Sequence, residues 1–372
     1  MGALMVGYSL GIGKIGGVDI ELNWLFIALL LVILLVSLAD FVLWVLIFAC
    51  VLIHELVHAW VAKRRRISVK RIILYPFGGG TVVNQEDLNP PDEFLVSISG
   101  PIASLVLALV FLPFSIIIHT GYLGSLLNFL FLINLVLGIF NILPWLPLDG
   151  GRVLRSYIQR REGYLAATKK AVLYSNVITV MFIVGSVAYA LLNSSYSVSY
   201  KEVFVLFSIV VAMFVYGGAE AELTSALVRE GVKGLHVGDA ISRNYLLVSQ
   251  STSIAALRRR FASTRDWDRN PHTILFRKSH SVYLFSSASL QRSARRAGTR
   301  APSVGSFGER LLEISPDKSL YYALDEMNAD GVGTMAVTKG GRLIGILPRQ
   351  RVEYIISLHM VSSANLGHKT VK

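Results

Sequence analysis

The sequence predicts a multi-pass α-helical membrane protein with a short β segment, followed by a C-terminal cytosolic α/β domain. Three observations predict it. Six apolar segments are long enough to cross a bilayer. The chain is 53% hydrophobic and only 16% charged, which sets it apart from large soluble enzymes. After about residue 230 the composition turns polar and charged. The expected domains are therefore 1–230, in the membrane, and 231–372, outside it.

The six predicted spans are approximately 22–39, 41–62, 94–118, 122–143, 171–192 and 203–224. Asp40 alone separates the first two, which predicts a tight helical hairpin. The N-terminal MGALMVGYSLGIGKIGG lacks a charged stretch followed by a small-residue cleavage site, so the first span is expected to be retained. Basic residues follow the second span (Lys63, Arg64, Arg65, Arg66, Lys70, Arg71) and the fourth (Arg152, Arg155, Arg160, Arg161, Lys169, Lys170). By the positive-inside rule these loops and both termini face the cytosol, in a cell membrane. The net charge of +12 thus reports topology, and no nucleic-acid partner is expected. The single Cys50 excludes an internal disulfide framework.

The second span holds His54-Glu55-Leu56-Val57-His58. Histidines four apart share one helix face and can bind one metal, and the intervening Glu55 can act as general base on a water that the metal activates. Ionisable groups inside a membrane are costly and point to function. His58 lies five residues and His54 nine before Lys63, so both sit roughly 7–14 Å inside the cytosolic boundary. Their water must come through a polar cavity open to that side.

VKRIILYPFGGGTVV (69–83) is not helical: β-branched residues flank Gly78-Gly79-Gly80, predicting strands around a flexible turn. This is either a surface hairpin or an exposed edge that holds an extended substrate by strand addition. The third span carries Gly100-Pro101 and Pro113, candidate kinks. The fourth ends in NILPWLPLDGGRVL (141–154), where Pro144 and Pro147 break the helix and Gly150-Gly151 permit a sharp turn just after Asp149. Catalytic zinc takes three protein ligands and keeps one position open. The two histidines leave one ligand to find, and Asp149, at the cytosolic end of its span, is the best available third; an interfacial helix cap is the plainer alternative.

HELVH on a membrane helix, FGGG in the β segment, SGP in the next span and N-x-x-P-x-x-P-L-D-G-G-R after it form an ordered set over residues 41–155 that resembles the site-2 protease family of intramembrane zinc metalloproteases. The resemblance implies one Zn²⁺ held by His54, His58 and Asp149, with Glu55 as catalytic base and Asn141 holding the substrate backbone. The chain departs from the family at Ser104, where members often have Asn, and at Leu146-Pro147 in place of consecutive prolines. Other candidates have plainer readings. Cys50 shares the face of His54 but fits a small buried side chain. Glu220 and Glu222 are a gate or interfacial charges, or would supply the third ligand in a different membrane zincin.

In the polar part, residues 311–356 alternate helix and strand: ALDEMNADG is a helix ending at Gly331, and TMAVTK and LIGIL are strands joined through Gly340-Gly341. A weaker copy lies roughly 70 residues earlier. This is similar to a tandem CBS-domain pair, a regulatory module that often binds adenine nucleotides. Where nucleotide-binding copies place Ser/Thr and then Asp, this chain has Pro348 and Arg351 in one copy and Ser286 and Ser289 in the other. Adenine-nucleotide binding and a structural or dimerising role both stay open, and 287–306 is a basic connector.

The expected function is hydrolysis of peptide bonds in transmembrane-helix substrates near the cytosolic face, with the CBS-like domain as regulator. The rival of another class is a CBS-gated ion channel or transporter that uses HELVH as an ion site. Such a transporter needs polar groups along a path through both bilayer halves, whereas the intramembrane polar residues here cluster on one side.

Overall fold

The computed structural model describes residues 9–76, 78–83, 88–192, 198–257, 273–279, 281–285, 303–306 and 308–367. The chain divides into two compact units, Met1–Leu227 and Val228–Lys372.

The first unit begins with a hairpin that the sequence did not predict. Strand β1 (Ser9–Ile15) pairs antiparallel with β2 (Val18–Asn23) around Gly16-Gly17, whose φ of 56° and 74° suit a tight hairpin turn. The segment predicted as the first span then becomes β2 plus a 13-residue helix α1 (Trp24–Val36). At 1.5 Å per residue α1 is about 20 Å long, short of the roughly 30 Å hydrocarbon core. Five helices among the described residues are long and apolar enough to cross a membrane.

The first of these is α2 (Leu38–Arg64), which carries the HELVH sequence. The break before it falls at Ser37, not Asp40. Ser37 is extended and its hydroxyl accepts from the Asp40 N–H, while Asp40 lies in the first turn, where its charge suits the helix dipole. At the other end Arg66 turns left-handed (φ 61°), and Ile67 N–H bonds back to the Ala62 carbonyl while Arg66 N–H bonds to Lys63. This is a Schellman stop sealed by buried Ile67 against Ala62.

Strands β3 (Val69–Tyr75) and β4 (Gly78–Val83) follow. β3 pairs parallel with β2 and antiparallel with β4, giving a four-stranded sheet of order β1-β2-β3-β4. Gly78-Gly79-Gly80 are not the turn, as the sequence suggested; they lie inside β4, opposite Tyr75, Leu74 and Ile73. Val18, Ile20, Ile72 and Leu74 of the sheet pack with Phe26, Phe48, Val51 and Ala59, so the sheet is fastened to α1 and α2.

Helix α3 (Pro90–Ile117) starts behind an Asn89 cap with Pro90 in the first turn, and runs through Pro101 and Pro113. Helix α4 (Gly121–Ile142) ends before the non-helical 143–148, and α5 (Asp149–Glu162) starts at the aspartate itself. The predicted sharp turn after Asp149 is corrected: the chain reverses before it. A Cβ at Gly150 would strike the carbonyls of Ile142 and Leu143, and one at Gly151 would come 2.8 Å from Leu146 Cα, so these glycines let α5 start against the end of α4. Two long apolar helices, α6 (Tyr164–Leu192) and α7 (Val198–Gly231), complete the unit.

A buried charge cluster ties three of these helices together. Arg155 of α5 is 1% exposed and reaches Glu93 of α3 and Glu222 of α7, and Arg152 also binds Glu222 at 2.9 Å. The cluster is neutral as a set. Deleting Arg155, the fully buried member, costs on the order of 3–5 kcal/mol, because Glu93 stays buried without its partner.

The second unit repeats one pattern twice. Strand β5 (Tyr245–Val248) is parallel to β6 (Thr273–Lys278), which forms a hairpin with β7 (Ser281–Phe285), and the short β8 (Glu309–Arg310) adds beside β7. Likewise β9 (Glu313–Ile314) is parallel to β10 (Thr334–Lys339), which forms a hairpin with β11 (Arg342–Pro348). Helix α8 (Leu320–Asp330) stops at left-handed Gly331, and Gly340-Gly341 turn the second hairpin, both as predicted; α9 (Arg349–Gly367) closes the unit. Ser286, Ser289 and residues 287–302 of the predicted connector lie outside the described residues.

Candidate metal centre

Helical spacing sets His54 and His58 on one face of α2, and both are buried. The start of α5 brings Asp149 across to them. His54 Nε2 lies 3.0 Å and His58 Nε2 3.1 Å from Asp149 Oδ2, and the two Nε2 atoms are 3.2 Å apart. Among the described residues this trio is the one group of His, Cys, Asp or Glu able to hold a metal ion. Tetrahedral zinc with bonds of about 2.0–2.2 Å sets its ligand atoms about 3.3–3.5 Å apart. The triangle therefore needs to open by only a few tenths of an ångström to accept the ion.

The outer ring nitrogens are held in a way that suits this task. His58 Nδ1 lies 2.6 Å from the Val96 carbonyl, which can only accept, so the proton is on Nδ1 and the Nε2 lone pair is free for a metal. His54 Nδ1 lies 2.9 Å from Ser104 Oγ, leaving its Nε2 toward the same point. Ser104 is thus the orienting partner of His54 at the place where the resembled family often has Asn. Gly100, one turn before Ser104 on α3, faces the histidines so closely that a Cβ there would lie 2.6 Å from His54 Nε2 and nearer still to His58 Nε2.

A cavity of about 780 Å³ opens beside the trio, and His54, Glu55, His58, Gly78, Gly79, Gly80, Asn141 and Asp149 all line it. Its remaining wall is largely apolar, with Phe140, Phe182, Phe204, Phe207 and Phe214. Glu55 is 8% exposed and reaches toward β4, where Thr81 Oγ1 donates to Oε2 at 2.7 Å. Asn141, in the last turn of α4, donates from Nδ2 to the Leu137 carbonyl at 2.9 Å. Because β4 ends the sheet order, its outer edge pairs with no other described strand.

The other candidates have different partners. Cys50 Sγ accepts from Asn134 Nδ2 at 3.2 Å and is outside the trio. Glu222 is engaged by Arg152 and Arg155, and neither it nor Glu220 is part of the metal-competent group. Thr81, Gly100, Ser104 and the Val96 carbonyl escaped sequence reasoning as site groups. One signal was present: Gly100 and Ser104 are four apart, and Gly79 and Thr81 two apart, the spacings of one helix face and one strand face.

The model of Peptidase family M50 matches residues 42–121 and 113–185. A zinc metalloprotease of Methanocaldococcus jannaschii is 33% identical over 257 residues, covering 67% of this chain and 70% of the relative. The solved Site-2 Protease from Methanocaldococcus jannaschii is 34% identical, covering 58% of this chain and 95% of that one, with a TM-score of 0.45. The structure of CBSX2 in complex with AMP is 18% identical over 34% of this chain and 98% of that one, with a TM-score of 0.28. The chain belongs to Peptidase family M50.

Proposed function

We propose that this protein is an intramembrane zinc metalloprotease that hydrolyses peptide bonds of transmembrane helices near the cytosolic face. The observation that carries the reading is the convergence of His54 Nε2, His58 Nε2 and Asp149 Oδ2 beside Glu55 in one largely apolar cavity. His54, His58 and Asp149 would hold one Zn²⁺ per chain, which when bound supplies Lewis acidity for the scissile carbonyl and lowers the pKa of the attacking water. Ser104 and the Val96 carbonyl keep both imidazoles turned with Nε2 inward. Glu55 takes a proton from the attacking water and passes it to the departing amine. A helical substrate hides its carbonyls in its own hydrogen bonds, so it must unwind locally. The free edge of β4 at Gly78–Gly80 offers main-chain groups to the unwound strand, and the Asn141 amide holds its backbone from the facing wall.

The test is metal content and metal dependence. Purified protein is expected to carry about one zinc per chain by elemental analysis, to lose cleavage of a transmembrane-helix peptide on chelation, and to regain it with zinc. Cleavage unaffected by stripping the metal would overturn the reading. Substituting Asp149 is expected to lower zinc content, whereas substituting Glu220 is not; the reverse would favour the alternative zincin.

Residues 231–372 are assigned as a CBS-like regulatory domain, with self-association through it a further expectation. The support is the repeated β-strand, parallel partner and hairpin, together with a cavity of about 490 Å³ lined by Ser242, Asn244, Thr273, Thr334 and Arg349. At the position of the ribose-binding aspartate, Arg351 instead donates from Nε to the Ala240 carbonyl at 2.9 Å. An adenine nucleotide that binds there raises the melting temperature of the intact protein. No shift with AMP or ATP would leave the domain a structural or dimerising element.

A further inference from the structure

Strand β4 brings a hydroxyl to the base. Alternation along a strand sends residues 79, 81 and 83 to one face, and that face looks onto α2. A Cβ at Gly79 would come 2.6 Å from Glu55 Cγ and 2.9 Å from Oε1, and Val83 packs with Ala62. Between them Thr81 Oγ1 lies 2.7 Å from Glu55 Oε2 and 3.2 Å from the Glu55 backbone oxygen. A threonine hydroxyl has a single proton to give, and the shorter contact, to a carboxylate oxygen, is the stronger one. The Glu55 side chain is therefore held at one oxygen by Thr81 and confined on its other side by the bare backbone of Gly79.

We propose that Thr81 is a positioning residue for the Glu55 base, donating to Oε2 and so fixing the carboxylate in the cavity it shares with His54, His58 and Asp149. The proposal rests on the protease reading above and adds a division of labour within one strand. The outer edge of β4 serves the substrate backbone, and its α2-facing side fixes the base. Without the hydroxyl, Glu55 regains freedom about three side-chain torsions, and a base that samples several positions spends less time in the productive one. Zinc binding involves different atoms and is expected to be untouched.

The experiment compares wild type, Thr81→Val and Thr81→Ser as purified full-length zinc-loaded protein, with a fluorogenic transmembrane-helix peptide as probe. Valine keeps the β-branched shape that suits a strand and removes only the donor. Thr81→Val is expected to lower kcat about 10- to 100-fold with KM within about twofold, and Thr81→Ser to stay within about threefold of wild type. Zinc content stays that of wild type in both. If the valine variant does not fold, Thr81→Ala against Thr81→Ser carries the same expectation. A valine variant as fast as wild type, or one impaired in KM alone or depleted of zinc, overturns the positioning role while leaving the protease reading intact. So does a folded serine variant as slow as valine. Wild-type protein that binds zinc but cleaves no helical peptide overturns the protease reading and this assignment with it.

Discussion

Replacing Glu55 with alanine is expected to stop peptide hydrolysis while leaving zinc bound. The carboxylate is outside the trio able to hold a metal ion, which is His54, His58 and Asp149. It sits on the same helix, next to His54, and lines the same cavity as the ligands. Its removal takes away both proton transfers, from the attacking water and to the leaving amine. General acid–base catalysis contributes about 10²- to 10⁴-fold, and one group here serves both steps, so kcat is expected to fall at least about 10³-fold. Initial rates with a helical peptide, beside elemental zinc analysis of the same preparation, check both halves of the expectation. A protease-free Glu55→Ala preparation that retains more than about a tenth of wild-type kcat would remove Glu55 from the base role.

Gly100→Ala is expected to empty the metal centre of a folded protein. In most helices the change stabilises, by roughly 0.5–1 kcal/mol, because alanine has less backbone freedom to lose. Here the added methyl would stand 2.6 Å from His54 Nε2 and nearer to His58 Nε2, beside the nitrogens proposed to hold the ion. The imidazoles cannot simply step aside, since His54 Nδ1 is tied to Ser104 and His58 Nδ1 to Val96. Zinc content is expected to fall below about a tenth of an equivalent, with cleavage lost in proportion and the helical circular dichroism retained. A variant that keeps its full zinc would mean that α3 can withdraw from α2 without cost.

Much of the candidate site was legible because it is written at short range. HELVH encodes a shared helix face through the 3.6-residue period alone, and His54 and His58 do lie on one buried face of α2. Asp149 could be singled out because few acidic groups lie near a membrane helix end. The glycines of β4 illustrate the limit. As a run of three they read as a turn, but they lie within a strand, and Gly79 is small because Glu55 lies against it. The first span shows another limit: hydropathy alone runs 22–39 together, whereas the pairing of β2 with β3 claims its start and leaves a 13-residue helix. The pairing of Glu222 with Arg152 and Arg155 is a third limit, because ion pairing between helices that far apart in sequence leaves no local trace.

By itself, the sequence determined the family resemblance, the candidate metal ligands on one helix and the change to a polar C-terminal part, since these follow from residue type and from periods of a few residues. Only the tertiary structure decided how the centre is held. It put Ser104 and the Val96 carbonyl behind the histidines, kept Gly100 bare before them, and brought Thr81 to Glu55. Each is a contact between elements 26 to 50 residues apart along the chain, and such contacts exist only once α2, α3 and β4 have packed together. The HELVH helix carries the candidate groups, and its neighbours hold them in place.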